Sequence, residues 1–133
     1  MTDLTIKVNS SHDYDETVTL VRDQLAEVGF GVLTEIDIQA TLKTKLDVDV
    51  APQIILGACR PQLAHAAMQA DPSIAAMLPC NVVVRRDGDA TLVEAFDPQA
   101  MITMASDAPD ALREVANDAR ARLAGALAAV ASA

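Results

Sequence analysis

The chain holds two cysteines, Cys59 in Gly57-Ala58-Cys59-Arg60-Pro61 and Cys80 in Leu78-Pro79-Cys80-Asn81. A thiol acts as a nucleophile or a soft-metal ligand in its thiolate form, so its surroundings decide what it does. Cys59 ends an apolar run and precedes Arg60 and a helix start at Pro61. A guanidinium and a helix N-terminus both favour thiolate over thiol. His65 falls about one turn into that helix, placed to act as a third ligand or a general base. Cys80 begins a strand after Pro79. If the two strands are neighbours, the thiols fit a redox couple, sulfur transfer, or capture of Zn(II) or Cu(I). Two sulfurs make only half of a closed zinc site, and no CxxC or HxxxH accompanies them. The simpler reading makes Cys59 and Cys80 small buried hydrophobes at strand ends, and His65 a partly exposed helical histidine.

Asn81, Glu94 and Asp97 form a second group near one sheet end. In the register expected for the hairpin, Asn81 sits opposite Glu94. A carboxylate there can bind a cation or activate water in a cofactor-free enzyme. The simpler reading has Asp97 capping a helix before Pro98 and Glu94 in solvent. His12 lies in a polar loop and reads as incidental. Met68, Met77, Met101 and Met104 read as gap-fillers in a core that has only Phe30, Phe96 and Tyr14 as aromatics. No GxGxxG, P-loop, GxSxG or HExxH signature is present, and no catalytic residue is assigned.

These residues must be positioned by local elements. Leu4, Ile6 and Val8 alternate with polar neighbours as a first strand. Asp13 and Glu16 have capping-box spacing. Tyr14, Val18, Val21, Leu25 and Val28 then make one helical stripe, and Gly29 takes the left-handed position beyond it. Phe30 to Ile36 alternates as a second strand. Asp37 caps a short helix carrying Ile38, Leu42 and Leu46, and Pro52 forbids a helical Ala51. The run Ile54 to Cys59 is nearly all apolar, which predicts a central strand buried on both faces. Pro61 begins a helix, and Asp71-Pro72 begins another short one. Asn81 to Arg86 and Ala90 to Ala95 flank Asp87-Gly88 as a hairpin. A two-residue loop there pairs Arg86 with Asp89, Val82 with Val93 and Cys80 with Ala95. Ser106-Asp107-Ala108-Pro109 opens a last helix with Leu112, Ala116, Leu123 and Leu127 in its stripe.

The sum is one α+β domain over residues 1–133: a mostly antiparallel sheet of four or five strands, two long helices on one face, and short connecting helices. At 133 residues and 51% hydrophobic content, the chain can bury a core, and the scarcity of aromatics invites support from oligomerisation. The net charge of −9 argues against nucleic acid and against an anionic membrane surface. Met1 to Ser10 has no apolar h-region, so a reducing cytoplasm with free thiols is expected.

Three stretches carry a family resemblance. They are Leu56-Gly57-Ala58-Cys59-Arg60-Pro61 with Ala64-His65, then Leu78-Pro79-Cys80-Asn81-Val82-Val83-Val84, then Val93-Glu94-Ala95-Phe96-Asp97-Pro98. Together, and with Thr17 to Val32, they resemble the prokaryotic family called domain of unknown function 302. The resemblance covers about Thr5 to Val130. It implies a compact α+β domain and a homodimer, and it draws attention to Cys59 and Cys80 without implying a reaction. The reading that follows is a binding domain with a ligand pocket or partner surface near Cys59, Arg60, His65, Cys80, Asn81 and Glu94. A small molecule or a metal is the candidate ligand. The alternative is a thiol-based redox, sulfur-transfer or metal-handling protein using Cys59, Cys80 and His65.

Overall fold

A computed structural model describes residues 4–104 and 107–133. Ser106, expected in the opening of the last helix, lies outside them. Strand β1 (Thr5–Ser10) leads to helix α1 (Tyr14–Glu27). Asp13 caps α1 by accepting a 2.8 Å hydrogen bond from the Glu16 amide, which satisfies a donor the helix cannot pair internally. The helix stops at Gly29, whose φ of +87° suits glycine. Thr17 is fully buried on the same face as Val21 and Leu25. Its hydroxyl donates to the Asp13 carbonyl at 2.7 Å, so burial leaves no polar group unmatched.

Strand β2 (Gly31–Asp37) runs into α2 (Ile38–Leu46), capped by Asp37 through the Ala40 amide at 2.9 Å. Strand β3 (Gln53–Cys59) precedes α3 (Pro61–Ala70), which starts on Pro61. A 3-10 turn over Pro72–Met77 follows, capped by Asp71. Strands β4 (Cys80–Asp87) and β5 (Ala90–Phe96) form the hairpin. Helices α4 (Gln99–Met104) and α5 (Asp110–Ser132) complete the order.

The five strands pair antiparallel in the order β1-β5-β4-β3-β2. Ile54, Leu56 and Ala58 share one face with Cys80, Val82, Val84, Val93 and Ala95. That face packs on Val21 and Leu25 of α1 and on Leu123, Leu127 and Val130 of α5. The fold is therefore α+β with both long helices on one side. A second cluster joins Ala67, Ile74, Met101, Ile102, Leu112 and Ala116 beside the first. Among the described residues, no helix is long and apolar enough to cross a membrane.

Four expectations change. Strand β3 is interior, but β4 holds the middle of the sheet. The β3 run alternates in burial: Ile54 and Leu56 are buried, while Gln53 and Ile55 are only half-buried on the side away from α1 and α5. Gly57 is buried on that second side because Thr34 and Pro79 close over it. A Cβ at Gly57 would collide with the Thr34 hydroxyl and come within 2.8 Å of Pro79 Cγ. The hairpin register is displaced by two: Asp87 pairs with Ala90, Val84 with Val93 and Val82 with Ala95. The turn centres on Gly88-Asp89, with Gly88 at φ +60° and no positive φ at Asp89, as a turn with glycine at its first central position requires. An even shift keeps each side chain on its face, so Cys80 still lies with Val82 and Val84. Met101 is buried as expected of a gap-filler, but Met68 and Met104 are exposed because they lie on the outer sides of α3 and α4.

Candidate functional site

Where the ends of β3 and β4 meet α3 and α5, the two hydrophobic clusters leave a cavity of about 30 Å³. Alanines make much of its wall: Ala58 from β3, Ala64 and Ala67 from α3, and Ala119 from α5. Each ends at Cβ, so none reaches across. Phe30, Leu63, Leu78, Met101 and Val115 complete the apolar part, and Cys59, Arg60 and Cys80 border it.

Cys80 is buried at 7% exposure, opposite Ala58 in the register. Burial, with a smaller effect from the Cys59 charge, pushes its thiol from 9.0 up to about 11. At neutral pH it is a thiol, not a thiolate. Cys59 is half-buried and stands opposite Gly31, one residue beyond the strand partner of Cys80. Both nonetheless border the same cavity, near enough for a charge on Cys59 to act on the Cys80 thiol. Both are free thiols.

Arg60 is the N-cap of α3 but gives that helix no side-chain hydrogen bond. Its side chain lies along Gly29, where an added Cβ would meet Nε at 3.0 Å. A side chain at Gly29 would therefore displace it. His65 does not reach the cavity. Helix α3 presents Leu63, Ala64 and Ala67 there, and His65 is on its exposed side.

Asn81 and Glu94 lie on the opposite sheet face. Asn81 is exposed and pairs with Gly57, while Glu94 pairs with Val83 rather than Asn81, a consequence of the shifted hairpin. Nor is Glu94 simply in solvent: its side chain is 19% exposed. It accepts from Thr5 Oγ1 at 2.8 Å and from Arg85 Nη2 at 2.9 Å, with Lys7 Nζ at 3.9 Å. Burial alone would raise its pKa. The hydrogen bonds from Arg85 and Thr5, with the charges of Lys7 and Arg85, outweigh burial and lower it. Asp97 caps α4 through the Gln99 amide at 2.9 Å and pairs with Arg120. Both carboxylates are thus engaged. Among the described residues, no three His, Cys, Asp or Glu side chains gather closely enough to hold a metal.

The sequence-predicted set is split by the sheet. Cys59, Arg60 and Cys80 come together, Asn81 and Glu94 lie behind them, and His65 faces outward. Sequence reasoning missed Phe30, Ala58, Leu63, Leu78 and the alanines. The one available signal was Ala64 and Ala67 at helical spacing after Pro61, which reads equally well as a packed face.

These features define a class by fold: an antiparallel α+β sheet domain with a small apolar cavity and a thiol in its wall. The family model described as "Domain of unknown function DUF302" matches residues 6–130, and the chain belongs to that family. The chain is also similar to the crystal structure of an uncharacterized conserved DUF302 protein from Bacillus stearothermophilus. Identity is 29%, the match covers 97% of this chain and 99% of the other, and the TM-score is 0.89. No curated protein matches this chain.

Proposed function

We propose that this chain is a non-catalytic, homodimeric binding protein of the cytoplasm, with its ligand site in the cavity beside Cys59, Arg60 and Cys80. The observation that carries the reading is the cavity. An apolar hollow, partly open to solvent, lies between two packed clusters and beside a charged side chain, the kind of place where small ligands bind. Its size restricts the occupant to a few atoms, far below a cofactor. Xenon tests the site, being apolar and atom-sized. Under xenon pressure, the methyl resonances of Ala58, Ala67 and Ala119 are expected to shift, and Ala67→Val should abolish the effect by filling the void. Unshifted methyls in the wild type would end the cavity reading.

Dimerisation finds support in the edge of the sheet. Of eight large hydrophobics that are exposed among the described residues, five lie between 33 and 50: Leu33, Ile36, Leu46, Val48 and Val50. They sit on edge strand β2, on α2, which buries no residue, and on the loop beyond. A nine-residue helix gains little stability without packing. Lys43 pairs with Asp47 and Asp49 within the chain, so the charges of this segment are balanced locally and two copies of a −9 chain can approach here with little repulsion. Native mass spectrometry is expected to show twice the 14.0 kDa chain mass. A single-chain mass at micromolar concentration would overturn the dimer.

The thiol reading, with Cys59, Cys80 and His65 in redox, sulfur-transfer or metal chemistry, draws support from the closeness of Cys59 to Arg60 and the start of α3. It is the weaker of the two, because Cys80 is protonated at neutral pH and His65 faces away. The charge of −9 supports neither a nucleic acid nor an anionic membrane partner.

A further inference from the structure

We propose that the cavity takes a short unbranched monocarboxylate, with its alkyl end inside and its carboxylate on Arg60. The inference rests on the cavity being the ligand site and adds the class of ligand. Arg60 carries the argument. Among the described residues, five arginines are half-buried: Arg22, Arg60, Arg85, Arg86 and Arg122. Arg22 pairs with Glu35, Arg85 with Glu94 and Arg122 with Asp118. Arg86 donates to Thr91 and to the Gly88 carbonyl. Of these five, Arg60 alone has no such partner among the described residues, in a chain with 19 acidic side chains against 10 basic ones. An unpaired guanidinium bordering a site is a ready partner for an anion, and its fork matches a carboxylate with two parallel hydrogen bonds.

The first turn of α3 adds to this. That turn carries no acidic residue and no side-chain cap, although Pro61 has no N–H and the Leu63 and Ala64 amides donate to the Arg60 carbonyl, so the helix adds a favourable dipole with the Gln62 amide as its one free donor. The cavity sets the other end of the ligand. Water needs two to four polar partners, and apart from Arg60 at its border the wall offers only the thiols of Cys59 and Cys80 among alkyl and aromatic groups, so the cavity favours carbon over water. At about 30 Å³ it has room for roughly two water-sized groups, hence one or two carbons and no branch. An inorganic oxyanion would leave the void empty and gain only the charge.

The test titrates the full-length protein with propionate, propionamide and inorganic phosphate, following the Ala58 and Ala67 methyl resonances. Propionate is expected to bind at least tenfold more tightly than the neutral amide and than phosphate. Arg60→Gln should bring propionate down to the amide's affinity and leave the amide unchanged. Arg60→Lys should keep part of the difference, because the charge remains and the fork is lost. Equal binding of propionate and propionamide would overturn the anion inference and leave the cavity reading in place. Phosphate binding as tightly as propionate would overturn it as well, since the tail would then count for nothing. If neither organic probe binds while xenon still enters, the carboxylate inference falls alone. If xenon also fails to enter, both fall together.

Discussion

Leu56→Ala is expected to destabilise the protein by about 2–5 kcal/mol and to lower Tm by roughly 10 °C, whereas Ile55→Ala should cost about 1–2 kcal/mol. The two residues are adjacent in the same apolar run. A strand buried on both faces would make them equal. In the structure Leu56 is fully buried beneath α1 and α5, opposite Val82. Ile55 is half-buried on the other face, opposite Ile36, which is 46% exposed. Truncating Leu56 removes its transfer energy and opens a void that close-packed neighbours cannot fill. Truncating Ile55 exposes a surface that solvent already reaches. Urea denaturation of both variants checks the difference. Equal costs would mean that something covers the second face as fully as the helices cover the first.

Stability should also fall steeply at high pH, through Cys80. Its folded thiol is raised from 9.0 to about 11 by burial, with a smaller effect from Cys59. Below pH 9 both folded and unfolded chains hold the proton, and the full stability is present. Between pH 9 and 11 the unfolded chain releases its proton first, so ionisation favours unfolding. The loss is about 2 kcal/mol by pH 11, where the folded thiol itself is half ionised, and it levels off above that pH. Cys80→Ala removes this loss while other groups continue to titrate, so the difference between the two pH profiles isolates the thiol. At pH 8, a thiol reagent should modify half-buried Cys59 well before Cys80. Parallel profiles for wild type and variant, or equal labelling rates, would contradict the burial of Cys80.

Both results bear on how far this chain can be read locally. Asp13, Asp37, Asp71 and Asp97 cap elements as their spacing predicts, because a cap involves only residues two or three positions apart. Gly29 ends α1 for an equally local reason. The α5 stripe is legible because one helix face meets one core. The hairpin was readable as a hairpin but not in register. A single glycine serves either of two turns, and choosing between them depends on pairing along the whole of β4 and β5. Thr17 reads as polar and is buried, because its hydroxyl finds a backbone carbonyl in its own turn.

The sequence by itself determined which elements form and in what order, where the capped helices start, the α+β class and the family, since caps and hydrophobic period act over a few residues. Only the tertiary structure decided that Arg60 and Cys80 border one cavity, that His65 turns away from it, and that Glu94 lies behind the sheet in an ion pair. A void is the space left when α3 and α5 pack against β3 and β4 with alanines at the contact. No single segment contains that space, so no local pattern in the chain could announce it.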